Sequence, residues 1–262
     1  KKAIAGYHDI VADVAREIGR NVDHDLVARA HRQLTRLVAT TLGDELEALY
    51  TASAPRGPFS PDPLRAGRRS LRNAAQPLLT ARGEPRDMKR AVDHYRKASS
   101  MTDAAHALFL IAGQAIPERD AVLEDFHDRW KDDHLVIDTW FAAQAQSPLP
   151  GALDSVRELT SHPLFSYAAP NKVRALIGNF ALQNPLQFNR ADGAGYQFVA
   201  AEVLKIDALN PQIAARMLGC FRSWRALEAV RRAHARRALQ KVAKSGTISR
   251  DVYEIVSKML ET

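Results

Sequence analysis

A single cysteine, Cys220, stands in the whole chain, so no internal disulfide can form and nothing points to an oxidising compartment. No apolar run approaches membrane length. The longest, Ala104–Gly113, carries His106 and is about half of what a span requires, which argues against a membrane partner. Glycine and proline are modest at 13 each, while alanine, leucine and arginine are abundant, a balance that favours helix. Three catalytic signatures are also missing. There is no H-E-x-x-H to set two zinc ligands and a general base on one helix face, no G-x-S-x-G elbow, and no phosphate loop ending in lysine-serine or lysine-threonine. The chain therefore carries no catalytic machinery and no metal site of its own in any of these forms.

What is present is ordinary for a folded soluble chain of 262 residues: 46% hydrophobic and 26% charged, with room for a large core. The net charge of +7 raises nucleic acid as a partner, but its distribution does not support one. Much of the excess lies in Arg65-Ala-Gly-Arg-Arg69 and in a late helix with Arg231, Arg232, Arg236, Arg237, Lys241 and Lys244. No aromatic residues interleave there, so solvated helix faces are the expectation. The chain opens Lys1-Lys2-Ala3 with neither an initiator methionine nor an apolar leader, which predicts a piece of something longer.

Helical periodicity runs almost from end to end. Ile10, Val14 and Ile18, then Leu26, Ala30, Leu34, Leu37 and Val38, follow i, i+3/i+4 spacing. Four prolines between Ser53 and Pro63 interrupt it and predict a linker or loop, with Pro63 suited to the first turn of a helix over Leu64–Leu79. Beyond it the helices become short: Asp87–Ala98, Thr102–Ala115, Arg119–Lys131 and His134–Gln146, then segments near Leu153–Leu159, Asn171–Leu182, Tyr196–Leu204, Pro211–Leu218, Arg222–Lys244 and Arg250–Leu260. Helix pairs on short turns hide their apolar faces only against the next pair. The fold class is accordingly all-α, an irregular α-solenoid of stacked antiparallel helix pairs, with 64–262 its more regular part.

Several constellations have bland readings. His127, Asp128, Asp132, Asp133, His134 and Asp138 lack the i, i+4 pairing of a helical zinc site, so caps and surface ion pairs with Arg129 and Lys131 are expected. Trp130, Trp140, Phe141 and Trp224 read as core, and Cys220 as buried and inert. Asp192-Gly-Ala-Gly-Tyr196 reads as a turn between helices. Arg174 and Arg216 sit beside apolar stripes and by spacing alone are boundary residues with the guanidinium in water.

Longer agreement lies in a series of short segments. They are Asp44-Glu-Leu-Glu-Ala-Leu-Tyr50, Gly67-Arg-Arg-Ser-Leu-Arg-Asn73, Met101-Thr-Asp103 and the run from Arg129 to Ala145. The series continues through Pro170-Asn-Lys-Val-Arg-Ala-Leu-Ile-Gly178, Asn184-Pro185, Asp192–Tyr196 and Asn210-Pro-Gln212. In order and spacing these resemble the C-terminal helical domain of bacterial aminopeptidase N, a family of zinc-dependent alanyl aminopeptidases. The resemblance implies a helical superhelix, spanning residues 1–262, that covers an active site built elsewhere in a cytoplasmic parent enzyme. Catalytic and β domains of the same parent would be its partners, a peptide would be the substrate, and zinc would be bound by the parent and not by this fragment. It further implies that Arg174 and Arg216 face an internal cavity near the peptide's C-terminal side. One departure is Asn189 after Phe188, where the family pattern often has histidine. A domain docked in this way would expose a sizeable apolar patch. The alternative is a free-standing α-solenoid that binds a protein or nucleic acid along a basic surface.

Overall fold

Several helix starts in this chain coincide with side chains that accept from the free N–H groups of the first turn, Asp62, Ser100, Asn184, Asn210 and Glu228 among them. The computed structural model describes residues 7–261, and among them the only β pairing is one isolated bridge between Val22 and Leu227. The architecture is all-α. Two helices open it, α1 (Tyr7–Ile18) and α2 (His24–Thr41). The described residues divide into two units, 29–133 and a second formed by 7–28 with 134–261; the first division falls inside α2.

In the first unit α3 (Gly43–Ala52) packs on α4 (Pro63–Ala81), which meets α5 (Pro85–Arg96) and α6 (Met101–Ala112), and α7 (Glu118–Trp130) lies on α6. The proline segment is a loop between packed neighbours, fastened from α4. Asp62 accepts from the N–H groups of Leu64 (3.0 Å) and Arg65 (3.2 Å), and Arg69 donates to the Ser60 carbonyl at 2.8 Å with its guanidinium over Phe59. Arg65, which stays exposed, donates to the Pro58 carbonyl at 3.1 Å, so both arginines fasten their own loop from the surface of α4. Ser100 caps α6, which starts at Met101, one residue before the predicted Thr102. The interior of this unit is partly polar: buried Arg82 makes a forked pair with buried Asp87 (2.9 and 2.6 Å) and reaches Glu47.

The second unit adds α8 (His134–Ala145), α9 (Ala152–Leu159), α10 (Pro170–Val173), a π turn at Arg174–Gly178, α11 (Asn179–Gln183) and α12 (Pro185–Phe188). It ends with α13 (Ala194–Asp207), α14 (Pro211–Met217), α15 (Ala229–Ala243) and α16 (Arg250–Glu261). Each helix packs mainly on elements one to three places away along the chain, α13 on both α14 and α15, and α16 on both α14 and α15, the short-range packing expected of a solenoid. Its core is aromatic: Tyr196, Phe188 and Phe221 meet edge-on or tilted, as do Trp140, Phe141 and Phe165. Trp140, Phe141 and Trp224 are buried, whereas Trp130, in the first unit, is only half-buried.

Two expectations change. The helix predicted over Arg222–Lys244 is broken. A 3-10 turn at Trp224–Ala226 leads to an extended Leu227, because Val22 pairs with that stretch (Val22 N–H to Ala226 O, 2.8 Å; Glu228 N–H to Val22 O, 3.0 Å). Glu228 then caps α15. Within α15, Arg231 is not on a solvated face. It is buried, donates to Asn189 O at 2.6 Å, and is ion-paired with Asp23, Asp25 and Glu228. Arg232, Arg236, Arg237, Lys241 and Lys244 are exposed as expected. The second change concerns the first two apolar stripes. They do mark helices, but Ile10, Val14, Ile18, Leu26, Ala30, Leu34, Leu37 and Val38 face solvent, while Val11, Val27, Ala28 and Ala39 turn inward.

Candidate functional site

The segment Pro170–Phe180 is anchored from below. Pro170 opens α10, and Lys172, though charged, is buried: its ammonium donates to the His134 carbonyl (2.8 Å) and to Asp138 (2.7 Å) and lies over the Phe141 ring. That pairing also decides the 127–138 constellation. Asp138 is committed to Lys172, Asp128 to His127 and Lys131, and Arg129 to Asp125. Among the described residues no three His, Cys, Asp or Glu side chains lie close enough to hold a metal ion.

Above Lys172 the helix widens. Over Arg174–Gly178 it makes a π turn packed on α8, and residues 175–178 are all buried while Arg174 stays exposed. The Arg174 guanidinium donates to the side-chain oxygen of Asn171. Asn184 then ties the next turn back to the end of α8, donating to Ala145 O (2.8 Å) and Ser147 O (2.7 Å), and Gln187 and Arg190 take the carbonyls of Pro148 and Pro150.

Asn189 is buried, accepting from Tyr196 Oη (2.9 Å) and donating to Pro185 O (2.7 Å), so its side chain is occupied within the core. The Asp192–Tyr196 turn is shaped by two glycines. Gly193 has φ +73° against the His234 ring, and at Gly195 the backbone comes so close that a Cβ would sit 2.3 Å from Phe188 O. Asp192 already fills the start of α13, accepting from Ala194 N–H. Its carboxyl is held below the usual range, first of all by Arg190. An anion would meet this carboxylate there, so the turn reading stands.

Arg216 lies in the last turn of α14, whose N-terminus is capped by Asn210 (3.1 Å from Ile213 N–H). It is exposed beside buried Met217 and makes no ion pair among the described residues. Arg174 and Arg216 thus share a unit and both reach water, but among the described residues no hydrogen bond or common partner joins them. Cys220 is half-buried, and burial pushes its thiol well above the ordinary value, away from reactivity. The periodicity did not reveal Lys172, Gln146 or Asn179 as parts of this region. The one available signal was Gly178-Asn179, two poor helix formers inside an apolar stripe.

Residues 10–261 match the family described as "Domain of unknown function (DUF3458_C) ARM repeats". The chain belongs to this family. It is 39% identical over 233 residues to aminopeptidase N of Caulobacter vibrioides and 35% identical over 240 residues to aminopeptidase N of Escherichia coli, covering 89% and 91% of this chain. The DUF3458_C-type domain is also similar to a solved structure, aminopeptidase A of Legionella pneumophila in complex with aspartic acid, with a TM-score of 0.83, 27% identity and 92% of this chain covered. The chain spans 27% of the length of those two curated relatives and 29% of the solved one. The resemblance to the C-terminal helical part of bacterial aminopeptidase N therefore holds. No helix among the described residues is long and apolar enough to cross a membrane.

Proposed function

We propose that this chain is the C-terminal domain, over residues 1–262, of a zinc-dependent alanyl aminopeptidase of the aminopeptidase N type, which removes N-terminal residues from peptides in the cytoplasm. The observation that carries this reading is the match along 89% of the chain to a relative named aminopeptidase N. The domain caps the active site, gates access to it and lines the internal cavity, while zinc and the catalytic groups belong to the other domains of the parent. On this reading the chain's own part in the reaction is binding and exclusion. Arg174 and Arg216 offer guanidinium groups to the peptide's C-terminal side, where a carboxylate or carbonyl accepts charge-assisted hydrogen bonds. Such contacts hold ground state and transition state alike, so they lower KM more than they raise kcat. Two features support this reading: both guanidiniums are exposed, and apolar residues stand outward on α2 where a neighbouring domain would cover them.

The test is complementation with an alanyl chromogenic substrate. The domain alone releases nothing. Mixed with the separately expressed remainder of the parent, it restores activity that a chelator abolishes and that Arg174→Ala or Arg216→Ala weakens. Chelator-insensitive hydrolysis by the domain alone would overturn the proposal. Salt-sensitive binding of nucleic acid with no rescue would favour the scaffold reading instead.

A further inference from the structure

One side chain, that of Asn179, spans the π turn that carries Arg174. In an α-helix each N–H reaches the carbonyl four residues back; here the Asn179 N–H reaches Arg174 O, five back. The same carbonyl also accepts from Asn179 Nδ2 at 3.1 Å, and Ala175 O accepts from Nδ2 at 3.0 Å. At its other end Asn179 Oδ1 takes the Nε2–H of Gln146, just past α8, at 2.6 Å. The amide of Asn179 is thus fixed on both sides, and it serves the carbonyls that a widened turn would leave short of donors.

The extra residue in the turn rotates everything before it by about 100° relative to everything after it, one residue's worth of helix. Residues 175–178 are consequently buried in succession while Arg174 points out to water. Asn171, three residues earlier, receives the guanidinium. Relaxation of the turn to α geometry would keep the chain helical and re-aim Arg174.

We infer that Asn179 is a positioning residue for Arg174: by pinning the π turn against Gln146 it sets the direction in which the guanidinium meets a substrate carboxylate. This inference rests on the reading of Arg174 as a substrate contact. A purely structural asparagine would, on loss, lower the activity of every substrate together. A positioning residue would discriminate between substrates with and without a terminal carboxylate.

The experiment uses the full-length parent enzyme with tri-alanine, which ends in a free carboxylate, and alanyl p-nitroanilide, which has none. In Asn179→Leu the ratio of the tri-alanine KM to the anilide KM should rise roughly fivefold, with kcat for tri-alanine changed by less than about twofold. Arg174→Ala should shift the ratio the same way, and the double variant should be no worse than Arg174→Ala alone, because the asparagine acts through the arginine. Gln146→Leu should give a smaller shift in the same direction, and it decides the matter if Asn179→Leu does not fold. An unchanged ratio in both the Asn179 and Gln146 variants, or effects that add in the double variant, would overturn the inference while leaving Arg174 as a contact. An unchanged ratio in Arg174→Ala would instead remove the reading on which it rests.

Discussion

His94 shows what burial does to one ionisable side chain in this fold. It is enclosed between α3, α4 and α6, its Nδ1 is 2.9 Å from Tyr50 Oη, and Arg72, Asp103 and His106 are the charged or titratable groups that face it besides Tyr50. Burial first, and then the Arg72 charge, lower its pKa from 6.5 to about 4, with Asp103 opposing. The folded protein therefore keeps His94 neutral at pH values where the unfolded chain has already taken up a proton. Its stabilising contribution is complete above pH 6.5 and is lost as pH falls from 6.5 towards 4. At pH 5 the loss from such a group is on the order of 2 kcal/mol. His24, buried and beside Arg231, is lowered to about 4 as well and adds a loss of the same sign. Thermal melts at pH 7.5 and pH 5.0 should show the lower Tm in acid, and His94→Gln should shrink the difference. An equal pH dependence in that variant would assign the acid sensitivity to other groups.

At the scale of elements, the turn before α13 sets the cost of a single methyl group. Gly195 lies so close to the α12 backbone that a Cβ would sit 2.3 Å from Phe188 O and 2.6 Å from Gln187 O, and these are backbone atoms that cannot swing aside. Gly195→Ala should therefore destabilise the second unit by about 1–3 kcal/mol, the usual cost of overpacking, and a chemical-denaturation midpoint would report it. By contrast Gly67→Ala, with nothing within 4 Å of the added atom, should hold or gain stability in the second turn of α4. Helices with local caps were legible in the sequence: the proline loop, the Pro63 start and the Asn210-Pro211 start follow from residues within a turn of the boundary. What the sequence hid was set by distant partners. The break at Leu227 pairs with Val22, Arg231 is ion-paired with Asp23 and Asp25, and Asn179 at the π turn accepts from Gln146. For the candidate site, Arg174 and Arg216 came from family resemblance, since spacing alone marked them only as boundary arginines; the asparagine and lysine that support Arg174 became visible only once α8 lay beside them.

At the scale of the whole molecule, an amphipathic helix normally turns its apolar stripe towards the core, and α2 does the reverse. In the first unit Leu34, Leu37 and Val38 stand outward on α2, with Leu42 and Leu49 exposed on the turn and helix that follow, and Leu37 is 64% accessible. In isolation these side chains contribute little to stability, so Leu37→Gln in the domain alone should move its unfolding free energy by less than about 0.5 kcal/mol. Within a parent several times longer, a covering domain would bury them, and the same substitution would place an amide in a dry interface. Hydroxyl-radical footprinting can separate the two cases side chain by side chain. Leu34, Leu37 and Val38 should oxidise readily in the isolated domain and be protected several-fold in the full-length enzyme, and Leu37→Gln should weaken rescue in the complementation assay without unfolding the domain. Equal oxidation in both forms would mean that this face stays in water and is not one that a covering domain uses.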